Sequence, residues 1–412
     1  MQEKGIGSKE NMAEVVIIGA GLAGLRCAME LQKHSVDYVI LEREKKIGGR
    51  VQTDESEGYR YDRGFQIYLD SYEEGKAIGL NKALDLQVFE PGAWLMKDGR
   101  KIDFANPFAK PSSVLNFLAG DWASLADKLR LAKIFLTNLG ATKDLPAAGR
   151  GETALEFLQR SGFDQKAIET FFRPFFAGVF LEDKLETSSA FLKHLLLNFS
   201  FGQATLPKAG MGAIPLVLAK GLRQDKILLG ADVRFEGEQA FLNGEQLEHA
   251  HVIDTTNRKV PSKDWNGSLT LYFACSGEKL HARLVVDADA SKLIRTAVSL
   301  SSVNANYAPE GQNLISCTLK ITTQEIDNVV IDSVQRELAA IYKRQAKEIR
   351  FMRHYYVREA LPSFLPRNQE GRGVKREGNC IIAGDSATYP SINGALLSGR
   401  QAAELVLNAL KN

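Results

Sequence analysis

The residues with most chemistry to offer stand near the start of the chain: Gly19, Gly21 and Gly24, spaced as G-x-G-x-x-G, with Glu42 beyond them. A side chain at the first position would spoil a tight turn. At the second it would keep a pyrophosphate off the backbone, and at the third it would hold a helix away from its strand. Such a turn binds an anion, because the helix behind it presents free N–H groups and the positive end of its dipole. Glu42 falls where a carboxylate can accept the hydroxyls of a ribose. The flanking residues supply the elements that must position these groups. Val15-Val16-Ile17-Ile18 predicts a buried strand, an amphipathic stretch predicts a helix, and Tyr38-Val39-Ile40-Leu41 predicts a second strand. Together they form a βαβ unit that binds a dinucleotide, and the fold class is α/β.

The whole chain sets wider bounds. Its 412 residues are enough for about two to three domains. At 44% hydrophobic and 25% charged residues it has the composition of an ordinary globular protein. Lys and Arg total 52 against 50 Asp and Glu, a net charge of +2, which gives no electrostatic case for nucleic acid. No apolar run reaches the ~18 residues of a membrane span. Residues 1–12 are polar, lack the apolar core of a signal peptide and read as a disordered tail, with Met12 an alternative start. Cys27, Cys275, Cys317 and Cys380 are far apart, which excludes a dithiol pair by spacing and implies a reducing, cytoplasmic setting. His249 and His251 alternate as on one strand face, but no third ligand stands near, so no metal site is expected. Nothing in the spacing of the sequence assigns a role to His194 or His354.

Further glycine motifs decide which dinucleotide. Gly48-Gly49-Arg50 follows the second strand, and Asp62-Arg63-Gly64-Phe65-Gln66 follows that. Near the C-terminus a strand-like run ends in Gly384-Asp385, and Asn393-Gly394-Ala395 opens a helix. Pro207 to Pro215 form a third glycine-containing turn. In this set the chain resembles the flavin amine oxidase superfamily, which includes monoamine and polyamine oxidases, protoporphyrinogen oxidases and phytoene desaturases. The resemblance implies FAD as cofactor and a Rossmann-like FAD-binding domain with an inserted α+β substrate domain. It implies a discontinuous FAD-binding domain at 13–80, 208–256 and 353–412, with a substrate domain at 81–207 and 257–352. It places Gly19, Gly21, Leu22, Ala23, Gly24, Glu42, Arg43, Gly49, Arg50, Gly64, Phe65, Gln66 and Val233 around the cofactor. Arg50 would neutralise the diphosphate, Asp385 beside Gly384 would contact the central linker, and Asn393, Gly394 and Ala395 would face the flavin pyrimidine edge.

The remaining candidates concern substrate. Five phenylalanines within residues 171–180 could wall an apolar pocket or simply be core. The resemblance places Tyr355 and Tyr356 near the flavin ring, and Tyr356 and Tyr389 are the candidate catalytic residues. Lys279, Lys292 and Lys320 are candidates for a lysine beside the flavin. Cys380 lies inside a strand and does not suit covalent flavin attachment. Leu125, Leu129, Ala132, Leu136 and Leu139 recur at helical spacing and predict one buried helix face. Residues 332–347 predict an amphipathic helix. The basic series Lys343, Arg344, Lys347, Arg350, Arg353, Arg358 reads as a solvated helix face, with binding of an anionic substrate or a membrane surface as the alternatives. No second G-x-G-x-x-G follows a strand, so a separate nicotinamide site is not expected. The expected function is FAD-dependent removal of hydride from an apolar small molecule, with a peroxide-forming amine oxidase and a non-catalytic flavoprotein as alternatives.

Overall fold

The computed structural model describes residues 13–107, 110–137, 151–237, 239–247, 251–368 and 372–411. The expected tail at 1–12, His249 and Leu139 fall outside them. The strand Val15–Ile18 is apolar and buried at all four positions, so it can only lie in the middle of a sheet covered on both faces. It pairs in parallel with Tyr38–Glu42 on one side and His251–Asp254 on the other, with Val15 opposite both Tyr38 and His251. Ile227–Leu229 and Cys380–Ile382 extend the sheet in parallel, and the antiparallel strand Lys375–Glu377 closes one edge. Five parallel strands from three distant stretches of chain, 15–42, 227–254 and 380–382, thereby bring their ends to one place, the usual location of a ligand crevice in such sheets.

Two glycines set the spacing of the helices over this sheet. A Cβ on Gly24 would lie 2.0 Å from the Gly19 carbonyl oxygen, so the helix Leu22–Lys33 rests directly on the turn before it. The C-terminal helix Ile392–Ala409 crosses that helix just as closely, since a Cβ on Gly399 would lie 2.1 Å from the Ala23 carbonyl oxygen. Charges buried at the seam are paired: Arg26 donates to Glu30 at 2.8 Å, and Arg400 donates to Glu74 at 2.9 Å.

A second sheet runs in the order Arg350–Pro362, Trp265–Ser276, Gln312–Leu319, Ile294–Ser299, Leu284–Asp287, Ala93–Lys97, Arg100–Phe104. Residues 353–362, expected in the nucleotide-binding part, are placed in this sheet because Arg350–Pro362 pairs antiparallel along Trp265–Ser276. The helix on this sheet is Asn328–Tyr342, which buries Val334, Leu338 and Tyr342. It stops short of the expected residue 347 because Lys343 turns left-handed, at φ 53°. The basic series therefore spans a helix end, a loop and a strand and is not one helix face.

The helical part corrects one expectation. In Leu125–Thr137 the stripe of Leu125, Leu129 and Leu136 faces outward, 62%, 60% and 61% exposed. The buried face holds Leu131 and Phe135 with Asp127 and Lys128. The two charges tolerate burial because they are satisfied. Asp127 accepts from Arg130 at 2.8 Å, and the Lys128 ammonium donates to the carbonyls of Leu118 at 2.7 Å and Gly120 at 2.6 Å. Those carbonyls end the preceding helix Val114–Ala119, where a cation suits the dipole. Among the described residues no helix is long and apolar enough to cross a membrane.

Replacing Gly399 by Ala tests the helix crossing. Helix propensity alone favours alanine by about 1 kcal/mol, whereas forcing the backbones apart costs about 1–3 kcal/mol. The melting temperature should fall, and a rise would show that the helices separate freely. His281 offers a pH test. Its ring lies between Trp94 (centroids 4.1 Å apart) and Tyr342 (4.7 Å), and both ring nitrogens are buried without a hydrogen-bond partner. Burial pushes its pKa down to about 4. A base with a depressed folded pKa stabilises the fold above its unfolded value near 6.5, and that contribution is lost as the pH falls toward 4. Melting curves across this window should drop less steeply for His281→Phe than for the parent protein, and parallel curves would refute this.

Candidate active site

The ends of Val15–Ile18, Tyr38–Glu42, His251–Asp254 and Cys380–Ile382 open into one continuous cavity of about 1040 Å³. That exceeds the roughly 300–1,000 Å³ of a single small-molecule site, leaving room for a cofactor and a substrate. Gly19 turns at φ 100°, and Gly21 precedes the helix with no side-chain cap. A Cβ on Gly21 would meet nothing within 4 Å, so the uncapped helix end and its free N–H groups face open cavity. Leu22 and Ala23 line the same wall, whereas Gly24 does not, being spent on packing against Gly19.

Glu42 is buried at the end of its strand and does two things. Its Oε2 accepts from the Ala20 N–H at 2.7 Å and its Oε1 from the Glu44 N–H at 2.8 Å, which pins the glycine turn to the second strand. The same carboxylate lines the cavity, with Arg43 and Val233 beside it. Gly49, Arg50, Gly64, Phe65 and Gln66 line the next section. The Gln66 amide donates to the Arg50 carbonyl at 3.0 Å, but its Oε1 is buried without a donor. A buried acceptor left open on a cavity wall suits a ligand that brings an N–H or O–H. Asp62 lies behind this section. Its carboxylate accepts from Thr53 at 2.5 Å, the Met211 N–H at 3.0 Å and Tyr307 at 2.6 Å. Burial pushes this carboxyl upward, and those hydrogen bonds pull it back.

The C-terminal motif meets Arg50 in the cavity wall. Gly384 and Asp385 both line it, and Asp385 Oδ1 accepts from Arg50 at 2.5 Å and from Asn257 at 2.8 Å. Arg50 also donates to the Ala360 carbonyl at 2.9 Å and lies over the Trp265 ring. Its charge is thus shared with Asp385 and is not directed at a diphosphate alone. Asn257 is a residue of the cavity wall that the sequence reading missed. It stands just past the strand His251–Asp254, at the end of a parallel strand, which was the available signal. Of Asn393, Gly394 and Ala395 only Ala395 lines the cavity. Asn393 donates to the Tyr389 hydroxyl at 2.6 Å. The Gly394 N–H is taken by Ser391 at 2.9 Å, and a Cβ there would lie 1.9 Å from the Tyr389 carbonyl oxygen.

The tyrosine candidates fall elsewhere. Tyr356 packs into the hydrophobic cluster under the helix Asn328–Tyr342. Tyr389 is buried beside His194 and holds Asn393. Tyr355 donates to Asp54 at 2.9 Å, and burial with that carboxylate pushes its phenol up to about 12. None of the three lines the cavity, and neither do Lys279, Lys292 or Lys320. Successive strand residues point to opposite faces, so one residue of register decides such placements. The aromatic wall comes instead from Phe104, Phe117, Phe135, Phe171, Phe175 and Phe176. Within residues 171–180 the work is divided: Phe171, Phe175, Phe176 and Val179 line the cavity, while Phe172 packs on Phe163 and Phe180 on Phe191. A wide helical turn at Ile168–Phe172 precedes Pro174, which has no N–H to continue a regular helix. Among the described residues the lining contains no lysine and no histidine.

Comparison with known proteins defines the class. The family model for flavin containing amine oxidoreductases matches residues 22–407, so the chain belongs to that family, and its cofactor is FAD. The chain is 27% identical to coproporphyrinogen III oxidase of Bacillus subtilis (strain 168) over 195 residues, 43% of this chain and 39% of that protein. It is 25% identical to the mitochondrial protoporphyrinogen oxidase of Nicotiana tabacum over 171 residues, 40% of this chain and 32% of that protein. These matches therefore span well under half of the relatives' own lengths. Cyclohexylamine oxidase from Brevibacterium oxydans superposes with a TM-score of 0.72 at 14% identity, covering 98% of this chain and 100% of that one, a likeness of fold.

Removing the Glu42 carboxylate tests the ribose end. Losing a hydrogen bond to a charged group costs about 1.5–3 kcal/mol, so titration of apoprotein with FAD should show Glu42→Ala binding roughly ten- to a hundredfold more weakly. Unchanged affinity would take the carboxylate out of the site.

Proposed function

We propose that this chain dehydrogenates a largely apolar small molecule, in the manner of a porphyrinogen oxidase or a carotenoid desaturase. The observation that carries this reading is the aromatic end of the cavity, walled by Phe104, Phe117, Phe135, Phe171, Phe175 and Phe176. Bound FAD supplies a two-electron acceptor for hydride from a substrate C–H bond. In this reading the Gly19–Gly21 turn and the helix end behind it hold the diphosphate, and Glu42 holds the adenosine ribose. The Arg50–Asp385–Asn257 node anchors the linker, and Gln66 offers its free acceptor to the cofactor. The phenylalanines exclude water and orient the substrate through shape, with no side-chain base required. The names of two sequence relatives, a coproporphyrinogen and a protoporphyrinogen oxidase, support a large ring-bearing substrate.

Two observations weigh against an amine substrate. No lysine lines the cavity among the described residues, and Tyr356 and Tyr389 do not line it as an aromatic pair. The open volume weighs against a purely structural flavin, which would leave the substrate space filled. The reading includes a discontinuous cofactor domain at 13–80, 208–256 and 363–412. Residues 81–207 and 257–362 then form the substrate domain, which gains 353–362 from its sheet pairing. The buried thiols of Cys27, Cys275 and Cys317, which form no disulfide, support a reducing cytoplasm.

Anaerobic mixing tests the proposal. A porphyrinogen or a polyene should bleach the oxidised flavin band, while primary amines, NADH and NADPH leave it in place. Rapid bleaching by an amine would favour the amine oxidase reading, and rapid bleaching by a nicotinamide would favour a reductase.

A further inference from the structure

We propose that Glu90, fixed by Arg283 where the aromatic end of the cavity meets solvent, selects against substrates that carry a carboxylate. The proposal rests on the reading of that end as the substrate chamber and narrows it to uncharged molecules. Glu90 lines the cavity and its side chain is 41% exposed, so it stands at the rim. Its place is set by backbone on both sides. The Phe89 N–H donates to the Ala204 carbonyl at 2.9 Å, and a Cβ on Gly92 would lie 2.3 Å from the Phe104 carbonyl oxygen. Arg283 donates to Glu90 Oε1 at 3.0 Å and to Asp103 as well, tying the rim to the residue before Phe104. Phe104 in turn stacks on Phe171, with ring centroids 3.9 Å apart. The Glu90 carboxylate therefore belongs to the aromatic end and not to the glycine turns.

No cation in the lining is left over for an anionic ligand. Arg283 is 12% exposed, is shared between two carboxylates and does not line the cavity. Among the described residues the cations that line it are Arg43, Arg50, Arg63 and Arg258, and each lies 2.5–3.5 Å from a carboxylate oxygen. Six carboxylates line the whole cavity against those four guanidinium groups, so the wall is net negative before the diphosphate of FAD is added. Asn106 and Ser200, at the aromatic end, are neutral and donate to the carbonyls of Phe199 and Leu196. A substrate carboxylate entering here loses hydration, finds no free cationic partner and meets Glu90. An uncharged polyene, or a ring whose acid groups are esterified, meets neither cost. Like charges at a rim also slow encounter, an effect that salt weakens.

Two probes that differ only in charge, a carotenoid carboxylic acid and its methyl ester, test this on the full-length, FAD-loaded protein. Binding is read from quenching of protein fluorescence after the flavin has been reduced with dithionite, so that it cannot accept hydride. Turnover is read separately, from anaerobic bleaching of the oxidised flavin. The ester should bind at least about fivefold more tightly than the acid at low salt. High salt should narrow that gap, which separates charge from apolarity. Glu90→Gln should shrink the gap and Glu90→Lys should reverse it. Both alter an exposed side chain, and their melting temperature and flavin content check that the fold is intact. Equal binding of acid and ester by the parent protein overturns the proposal, as does an ester preference that salt and both Glu90 variants leave unchanged. Because binding is read on reduced flavin, charge selection can stand even when the oxidised protein dehydrogenates neither probe, which would count against the dehydrogenase reading alone. Acid and ester that bind equally and bleach the flavin equally would overturn charge selection and leave that reading in place.

Discussion

Everything on the nucleotide side of the molecule depends on a helix pressed from both sides onto backbone. Leu22–Lys33 touches the turn beneath it at Gly24 and the C-terminal helix above it at Gly399, and neither contact leaves room for a methyl group. This double constraint fixes where the helix begins, and so where its unpaired N–H groups point. It also fixes the C-terminal helix, whose start adjoins Gly384 and Asp385. Close packing of this kind cannot relax by side-chain rotation, because the opposing atoms are main-chain carbonyls.

From that fixed frame the cavity wall is assembled by polar contacts between residues far apart in the chain. Glu42 holds the Ala20 N–H, Arg50 and Asn257 converge on Asp385, and Asp62 gathers Thr53, Met211 and Tyr307. Each carboxylate is buried, and each is held by several donors, as a buried polar group requires. These nodes carry two duties at once. They join segments that no local element connects, and some of their atoms also face the cavity. A substitution there will alter the cofactor space and the assembly of the fold together.

The aromatic end of the cavity is built on a different principle. Its wall is aromatic side chains packed edge to face and stacked, from Phe104 on Phe171 to Phe175 on Phe199, with few directional groups. Such a chamber selects by shape and by exclusion of water. Placing redox power in the cofactor and leaving the protein to supply an apolar volume is consistent with a chamber whose lining has no lysine or histidine among the described residues.

The nucleotide-binding unit was legible in the sequence because its requirements are local. A β-branched run, three glycines at fixed spacing and an acid at the next strand end each follow from backbone sterics within some thirty residues. The Gly-Gly-Arg and Gly-Asp motifs were legible for the same reason. Which side of Leu125–Thr137 is buried was not, because the spacing of leucines shows a stripe but not its partner. Burial went to Phe135 and Leu131, which meet the chamber, and even to Lys128, whose charge is satisfied by a neighbouring helix end. Tyr356, Tyr389, Asn393 and Gly394 could be placed near the flavin by motif, yet register in a strand turned Tyr356 away, Asn393 is bonded to the Tyr389 hydroxyl, and Gly394 is crowded by the Tyr389 carbonyl. Asn257 became visible only when its strand end met Asp385 across the sheet. The sequence by itself determined the elements whose geometry is set by neighbours along the chain. The tertiary structure alone decided which faces of those elements look into the cavity, since that depends on contacts between residues hundreds of positions apart.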